Sequence, residues 1–353
     1  MYFALTSGFR FTRNALAAIS GLCFSIRIAF AQTADAALSP TSIFSPVSTP
    51  ARSIFDLSIF VLVVAGAIFT VVVTLLVYSL VKFRTRRDDD AREPPQVYGS
   101  NQVELAWTVI PVLIVVGLFM ATARVTADIQ KPQRPAGAIE VVATGHQFWW
   151  EFRYPGLKVV TANELHVPVS DPNHPSPTFI TLTSADTDHS FWVPRLAGKT
   201  DLIPNRINSM WIDPQETGLY LGQCAQYCGT QHAKMLLRVY VQTSDDFARW
   251  IREQSQPARA HDVVSTGQRI FETTACINCH TVAGTMADGR FGPDLTHLMS
   301  RDTIASGAVP NTPANLRQWI RDPAGLKPGC KMPAMELSDQ DINAVATYLE
   351  TLQ

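Results

Sequence analysis

Two long uncharged stretches near the N-terminus dominate the hydrophobic pattern of this chain. They cover residues 57–81 and 105–123, and each matches the roughly 20 apolar residues that a membrane-spanning helix needs. Pro111 lies inside the second stretch, where neighbouring helices can satisfy the carbonyl group that a proline leaves free. The pattern therefore predicts a hairpin of two membrane-spanning helices within residues 32–127.

The charges around this hairpin predict its orientation. The loop between the spans is rich in basic residues, whereas the short segment before the first span carries only Arg52. Because basic residues accumulate in cytoplasmic loops, we expect the loop inside and both outer flanks outside. The predicted location is a bacterial cytoplasmic (inner) membrane, with contact to the lipid bilayer and the C-terminal part on the periplasmic, outer side. The basic residues of the loop are Lys82, Arg84, Arg86, Arg87 and Arg92.

Residues 1–31 have the pattern of a secretory signal peptide. Arg10 and Arg13 precede an apolar run, and Ala29 and Ala31 form a small-residue cleavage pattern. We expect this segment to be removed, with an uncleaved anchor as the alternative.

The pattern changes to short strands over residues 128–242. Thr178–Ser184 alternates apolar and polar residues, and Leu236–Val241 is a short apolar run. Clusters of proline, glycine, asparagine and aspartate separate such segments. Short strands with frequent turns predict an all-β Greek-key sandwich.

The C-terminal part has helical patterns after a polar stretch. Residues 243–262 lose their apolar periodicity and are predicted to form a flexible linker. Within residues 263–353, Thr312 followed by a proline predicts a helix start, and Ser338 with Asp341 predicts the cap of the last helix. This segment is predicted to be an all-α domain, so a multi-domain protein is expected.

The composition narrows the function. The charged fraction is 17% and the net charge −1, whereas about 25% charged residues is usual for soluble proteins. The two apolar spans account for this deficit. No basic cluster interleaved with aromatic residues is present in the sequence, so we expect no nucleic-acid partner.

One loop contains four candidate metal ligands, Cys224, Cys228, His232 and Met235. Thiolate and thioether sulfur are soft donors that favour copper, and imidazole also suits copper. The methionine argues against zinc, which rarely takes a thioether. The alternative is a plain disulfide between the two cysteines.

Together with His189 upstream, this loop resembles the dinuclear copper (CuA) site of cytochrome c oxidase subunit II. The resemblance implies a cupredoxin-like sandwich in which the two cysteines bridge two copper ions. Many family members have a glutamate at the position of Gln226 that helps to hold magnesium, and the neutral amide here predicts no magnesium site. The implied copper ligands are His189, Cys224, Cys228, His232, Met235 and the backbone carbonyl of Gln226.

A second motif, Cys276, Cys279 and His280, has the C-x-x-C-H spacing of covalent haem attachment. A zinc site would need a fourth ligand at finger spacing, and none follows. The loop around Phe291–Leu295 resembles the segment that supports the haem histidine in class I cytochromes c. In the same resemblance Met332 is the expected sixth iron ligand, and Met335 is the alternative.

Three further residues, Trp149, Trp150 and Glu104, have a functional role only through the resemblance. In subunit II an aromatic cluster lies between the docked electron donor and copper, and here Trp149 and Trp150 would form the electron path. The family's usual first tryptophan is Phe148 here, and otherwise such rings are core residues. A family glutamate at the mouth of a proton channel matches Glu104, whose other interpretation is a solvated carboxylate at a membrane boundary.

Residues 50–353, nearly all of the chain after the signal, resemble cytochrome c oxidase subunit II with a fused C-terminal cytochrome c, as in caa-type haem–copper oxidases. The resemblance implies electron entry from a soluble or membrane cytochrome c, or an upstream cytochrome complex. Electrons would pass by haem c and CuA to subunit I, which reduces oxygen, and subunit III is a further expected partner. The alternatives are a copper-containing nitric oxide reductase subunit, a non-enzymatic membrane-anchored copper-binding protein, and a quinol oxidase subunit, against which the two thiols argue.

Overall fold

The structure describes most residues of the predicted hairpin, sandwich and C-terminal domain. The structure is a computed structural model that describes residues 41–84, 96, 98–131, 134–135, 138–171, 175–258 and 265–353. The predicted signal peptide and the loop segment 85–95 lie outside the described residues. The boundary predictions that fall there stay predictions.

Two long helices form the N-terminal part of the description. Helix α1 spans Thr49–Lys82 and helix α2 spans Asn101–Gln130. They contain the predicted spans 57–81 and 105–123 and extend beyond them, with apolar side chains exposed along most of their length. Both are long and apolar enough to cross a membrane. Pro111 lies inside α2 without ending it.

In the described residues, ten strands form the predicted sandwich. They are β1 Ile139–His146, β2 Trp149–Tyr154, β3 Val159–Ala162, β4 Glu164–Pro168, β5 Thr178–Ser184, β6 His189–Trp192, β7 Thr200–Leu202, β8 Asn208–Ile212, β9 Gly218–Cys224 and β10 Leu236–Gln242. Five belong to the first sheet in the order β3–β2–β1–β5–β8, and five to the second in the order β4–β10–β9–β6–β7. Neighbours are antiparallel except β1 with β5 and β10 with β4.

The sandwich core follows from the alternation along each strand. In β10, Leu237, Val239 and Val241 are buried while their neighbours are partly exposed, as a period of two requires. Trp150 and Phe152 of β2 and Phe191 of β6 are fully buried and meet edge to face. These rings fill the space between the two sheets, directly behind the loops that carry the candidate ligands.

The outer ends of both long helices are tied to the sandwich. Asp213 donates its backbone N–H to Ser48 Oγ at 2.8 Å and accepts from Thr49 Oγ1 at 2.7 Å. Trp211 donates its indole N–H to the carbonyl of Ile129 at 2.8 Å. The sandwich therefore lies at the end of the helix pair that is opposite Lys82 of α1 and Asn101 of α2.

The linker prediction was wrong for most of its length. Helix α3, Ser244–Gln254, follows β10 directly, and Thr243 caps it by accepting from the N–H of Asp246. Phe247 and Trp250 are buried on the sandwich. Their spacing of three places both rings on one helix face, and the polar residues around them concealed that face in the sequence.

The C-terminal domain is helical, as predicted. Thr312 and Ser338 cap the helices that the sequence assigned to them. A two-residue ladder between β11, Thr303–Ile304, and β12, Val309–Pro310, is an addition to the predicted all-α domain. The helices are α4 Thr266–Thr273, α5 Cys276–Cys279, α6 Pro313–Arg321, α7 Pro323–Leu326 and α8 Asp339–Leu349.

Candidate copper and haem sites

The predicted sulfur and imidazole ligands converge at one end of the sandwich. Cys224 Sγ lies 3.9 Å from Cys228 Sγ and 3.9 Å from His189 Nδ1. Cys228 Sγ lies 3.7 Å from His232 Nδ1 and 3.8 Å from Met235 Sδ. The end of β9, the start of β6 and the loop before β10 supply these atoms, so the five side chains form one cluster, called here the thiolate cluster.

The thiolate cluster suits a metal ion because it is buried and because one of its thiols is readily deprotonated. Cys224 and Cys228 are free thiols, and their sulfur separation is far above the roughly 2.05 Å of a disulfide. The neighbouring Cys228 thiol and the hydrogen bond to His189 lower the pKa of Cys224 to about 3, against the effect of burial. The thiolate is the form that binds metals, and it sits in a buried site.

Gln226 lies between the two cysteines. Its carbonyl oxygen lies 3.1 Å from Cys224 Sγ, and its side chain is exposed. The carbonyl group therefore faces the thiolate cluster while the amide does not.

Asp186 and Gln147 hold the thiolate cluster from behind, and the sequence interpretation missed both. Asp186 Oδ1 lies 2.8 Å from His189 Nε2, which leaves the other ring nitrogen directed at Cys224. Gln147 donates its backbone N–H to Asp186 at 2.6 Å and its side-chain amide to the carbonyl of Cys228 at 2.6 Å. A carboxylate that orients a ligand histidine in this way is common at metal sites.

These contacts shift the acidity of both partners. Burial works against ionisation of Asp186, but hydrogen bonds from His189 and two backbone N–H groups lower its pKa to about 2. Burial likewise lowers the pKa of His189, yet the hydrogen bonds with Asp186 and Cys224 outweigh it and raise the pKa overall. The only hint in the sequence was an aspartate three residues before His189.

Strand β1 passes so close to the His189 ring that no side chain fits between them at Gly145. A Cβ atom at Gly145 would lie 2.7 Å from Cδ2 of the His189 ring. Glycine at this position therefore lets the strand pack directly against the imidazole.

A cavity of about 780 Å³ is formed mainly by the C-terminal domain. Cys276, Cys279 and His280 contribute to its wall, and so do Met332 and Met335. Its size is in the range of sites for cofactors, and its lining is mainly apolar. The C-x-x-C-H residues and both candidate methionines thus surround one space that suits a haem.

His280 is oriented by the neighbouring 291–295 loop, which also lines the cavity. Its Nδ1 lies 2.8 Å from the carbonyl oxygen of Pro293, so the other ring nitrogen is left for a ligand. A Cβ atom at Gly292 would lie 2.6 Å from the ring. The 291–295 loop therefore supports the histidine through one carbonyl group and one missing side chain.

The C-terminal domain contains four methionines, and only the two candidate iron ligands, Met332 and Met335, line the cavity. Met332 and Met335 are half-buried and line the cavity. Met286 is exposed, and Met299 packs against the helical core.

The two tryptophans differ in position. Trp149 lines the cavity and stacks on His146 with ring centroids 4.2 Å apart. Trp150 is fully buried and meets the His189 ring edge to face at 6.1 Å. The two residues therefore face the cavity and the thiolate cluster respectively. Glu104 lies far from both in sequence, in the exposed first turn of α2.

The fold and the two sites define a membrane-anchored electron-transfer protein. Three family models match in the same order as the domains. They are the cytochrome c oxidase subunit II transmembrane domain at residues 39–123, its periplasmic domain at 139–242, and cytochrome c at 264–353.

Whole-chain relatives agree with this order. Cytochrome c oxidase subunit 2 of Alkalihalophilus pseudofirmus is 34% identical over 87% of this chain and 90% of its own length. The protein of the same name from Bacillus sp. strain PS3 is 32% identical over 77% of this chain and 80% of its own length. A solved periplasmic domain of Bradyrhizobium japonicum cytochrome oxidase subunit II is 30% identical, with a TM-score of 0.32, over 35% of this chain and 96% of that domain.

The chain belongs to the cytochrome c oxidase subunit II family. It is the electron-transfer subunit of a haem–copper terminal oxidase and carries a cytochrome c domain at its C-terminus. It is membrane-anchored and associates with the other oxidase subunits and a cytochrome c donor. The nitric oxide reductase and copper-binding alternatives are not favoured.

Proposed function

We propose that the thiolate cluster holds a dinuclear copper centre and that the cavity of the C-terminal domain holds a covalent haem c. The copper ligands are His189, Cys224, Cys228, His232, Met235 and the carbonyl of Gln226. The haem attaches to Cys276 and Cys279, with His280 and Met332 as iron ligands. When bound, these groups supply one-electron redox chemistry between the cytochrome c donor and the oxygen-reducing subunit I.

The observation that carries this proposal is the convergence of five donor side chains in the thiolate cluster. Three of them, His189, Cys224 and Cys228, have ligand atoms within 4.8 Å of one another. Two thiols and one thioether make the site soft, which favours copper over the hard cations. Loops anchored on a rigid sandwich hold such a site with little change of shape between redox states.

The residues around the cluster have separate tasks. Asp186 fixes the His189 ring and stabilises positive charge near it, while Gln147 fixes the Cys228 carbonyl. Trp150 and Phe191 exclude water behind the imidazole because both are fully buried. In this dry surrounding, charges near the site act more strongly than they would in water.

The aromatic residues supply the connection between the two sites. Trp149 belongs to the cavity wall, and Trp150 follows it directly and touches His189. We assign the electron path to this pair. Its support is the continuous protein contact from the cavity wall to a proposed copper ligand.

The anchoring of the sandwich at one end of the hairpin, together with the basic loop predicted at the other end, supports a membrane arrangement. We place the two domains on the periplasmic side of a bacterial cytoplasmic membrane, with subunit III as well as subunit I as neighbours. We assign proton entry to Glu104, which lies in the first turn of α2 at the other end of the hairpin. Glu104→Gln should then slow proton uptake by the assembled oxidase and leave the spectra of both cofactors unchanged.

Metal counting and electron paramagnetic resonance on the complete chain test the proposal. The chain is expressed with haem attachment, purified in detergent and loaded with copper. We expect two coppers and one covalent haem per chain, with hyperfine coupling shared over both copper nuclei. One mononuclear copper, or none, overturns the dinuclear assignment.

The methionine assignment has its own test. Met332→Ala should remove the methionine-to-iron charge-transfer band of the oxidised protein, whereas Met335→Ala should keep it. Loss of the band in Met335→Ala alone reverses the assignment. The matched variant Met286→Ala reports the background, because Met286 is exposed.

A further inference from the structure

A buried lysine joins the C-terminal domain to the sandwich. Lys327 is only 2% exposed, although it follows α7 directly in the loop that leads to Met332. Its Nζ donates to the carbonyl of Phe148 at 2.8 Å and to that of Ala305 at 3.1 Å. Phe148 belongs to the sandwich, so the lysine crosses from one domain to the other.

A buried glutamate makes the reverse connection. Glu164 of β4 is 2% exposed, and its Oε1 accepts from the backbone N–H groups of Asp302 at 3.0 Å and Thr303 at 3.1 Å. Burial raises its pKa, while the nearby Arg301 guanidinium and the two N–H groups oppose that shift. Each domain thus buries one ionisable group against the backbone of the other.

Backbone pairing lies between these two contacts. Leu236 donates its N–H to the carbonyl of Ser306 at 3.2 Å, and Ser306 Oγ donates to the carbonyl of Leu236 at 3.0 Å. Leu236 directly follows Met235 of the thiolate cluster. The contact between the domains therefore reaches the edge of the proposed copper site.

The same contact covers the aromatic loop, defined here as residues 146–149. Phe148 and Trp149 are only 7% and 8% exposed, and all four residues of the loop line the cavity of the C-terminal domain. A surface that is open for a separate protein partner would leave such rings accessible. Here the chain's own C-terminal domain occupies that surface.

We propose that Lys327 and Glu164 hold the C-terminal domain permanently on the aromatic loop, and that this domain thereby excludes a separate protein donor from the loop. A cytochrome donor then gives its one electron to the C-terminal domain and is itself oxidised there. Removing either side chain leaves buried backbone carbonyl or N–H groups at the domain contact without a hydrogen-bond partner, which disfavours the docked arrangement. The part of this inference that concerns electron transfer rests on the proposed function, whereas the docking of the domain does not.

Hydrogen exchange on the complete detergent-solubilised oxidase tests the docking. The amides of Leu236, Asp302 and Thr303 bond across the domain contact, and none of them touches Lys327. We expect them to be protected in the wild type and to exchange at least tenfold faster in Lys327→Met. Lys331→Met is the matched control, because Lys331 is exposed in the same loop, and Lys327→Arg should restore protection in part.

Two results would overturn the docking. One is exchange of these amides in the wild type at the rate of exposed loops. The other is equal protection in Lys327→Met and Lys331→Met. If Lys327→Met does not fold, Glu164→Gln serves instead, with the Leu236 amide as the reporter; unchanged protection there also contradicts the proposal.

Stopped-flow mixing with a reduced soluble cytochrome c tests the exclusion. In the wild type, copper reduction should always follow haem reduction. In Lys327→Met a direct copper phase should appear, with a rate proportional to donor concentration; a direct phase in the wild type refutes the exclusion. A chain without a copper signal would contradict the proposed function, and hydrogen exchange would still decide the docking.

Discussion

Asp186 shows how much of the thiolate cluster depends on residues that bind no metal themselves. It accepts from two backbone N–H groups and pairs with the His189 ring. Ligand types at short spacing could be recognised in the sequence because sulfur and imidazole have few other uses in such a pattern. Asp186 could not be recognised as their support, because an aspartate in a turn is ordinary and only the folded loop brings it to His189.

Asp186→Ala is predicted to weaken copper binding by 10–100-fold, as loss of an orienting partner of a metal ligand usually does. Competition with a copper chelator measures the affinity. Asp188→Ala is the matched control, because this residue is a nearby exposed aspartate of the same loop. Equal affinity of the two variants would contradict the orienting role.

His166 makes a pH-dependent contribution to stability. It is stacked between Trp250 at 4.1 Å and Tyr240 at 4.7 Å, and burial lowers its pKa to about 4. The folded state therefore disfavours the protonated ring, and between pH 6.5 and 4 the unfolded chain binds more protons. The contribution is complete above the unfolded pKa of about 6.5 and is lost as the pH falls towards 4.

His166→Phe should remove this dependence, which amounts to about 3 kcal/mol of unfolding free energy between pH 7 and pH 4. Urea unfolding of the detergent-solubilised chain at both pH values measures it. Wild type and variant are compared as a difference, so that other titrating groups cancel. A variant that keeps the full pH dependence would show that His166 is not its source.

At the scale of elements, helix α3 is the clearest departure from the sequence interpretation. The helices at 312 and 338 were predictable because a cap residue and an apolar stripe occur together there. In α3 the apolar face is narrow, and its burial depends on an open position on the sandwich beside β4 and β10. In the structure α3 packs into that position, so residues 244–254 belong to the sandwich domain.

Trp250→Ala is predicted to destabilise the chain by about 3–5 kcal/mol, since a large buried ring leaves a cavity when it is removed. Chemical unfolding followed by circular dichroism measures the change. Glu253→Ala in the same helix is exposed and should stay near the wild-type value. A change below 1 kcal/mol in Trp250→Ala would mean that α3 does not stabilise the sandwich.

At the scale of the whole molecule, the hairpin determines which side of the membrane each domain faces. Ile207→Cys places a thiol on an exposed part of the sandwich, and Tyr98→Cys places one beside the predicted cytoplasmic loop. A membrane-impermeant thiol reagent should label the first in intact spheroplasts and the second only after permeabilisation. The unsubstituted chain provides the background from its native cysteines, and the opposite labelling pattern would reverse the topology.

The arrangement of the sandwich and the C-terminal domain also differs from the one that the sequence predicted. A flexible linker would let the C-terminal domain move around the sandwich at a high local concentration. With α3 packed and the two domains joined by buried charges and backbone pairing, the distance between the two sites is instead held constant. A constant distance suits electron transfer, which needs fixed relative positions of its centres.

The sequence by itself determined the order of the domains, the two membrane-spanning stretches and which residues are candidate ligands. Each of these depends on local pattern: an apolar run long enough to cross a bilayer, or ligand types at a spacing that one loop can hold. Only the tertiary structure decided that Asp186 supports His189, that α3 belongs to the sandwich, and that Lys327 reaches Phe148. The contacts of α3 and of Lys327 join residues far apart in the chain, and Asp186 meets His189 only when the turn between them is folded. The free energy of all three depends on burial and on partners that no local pattern contains.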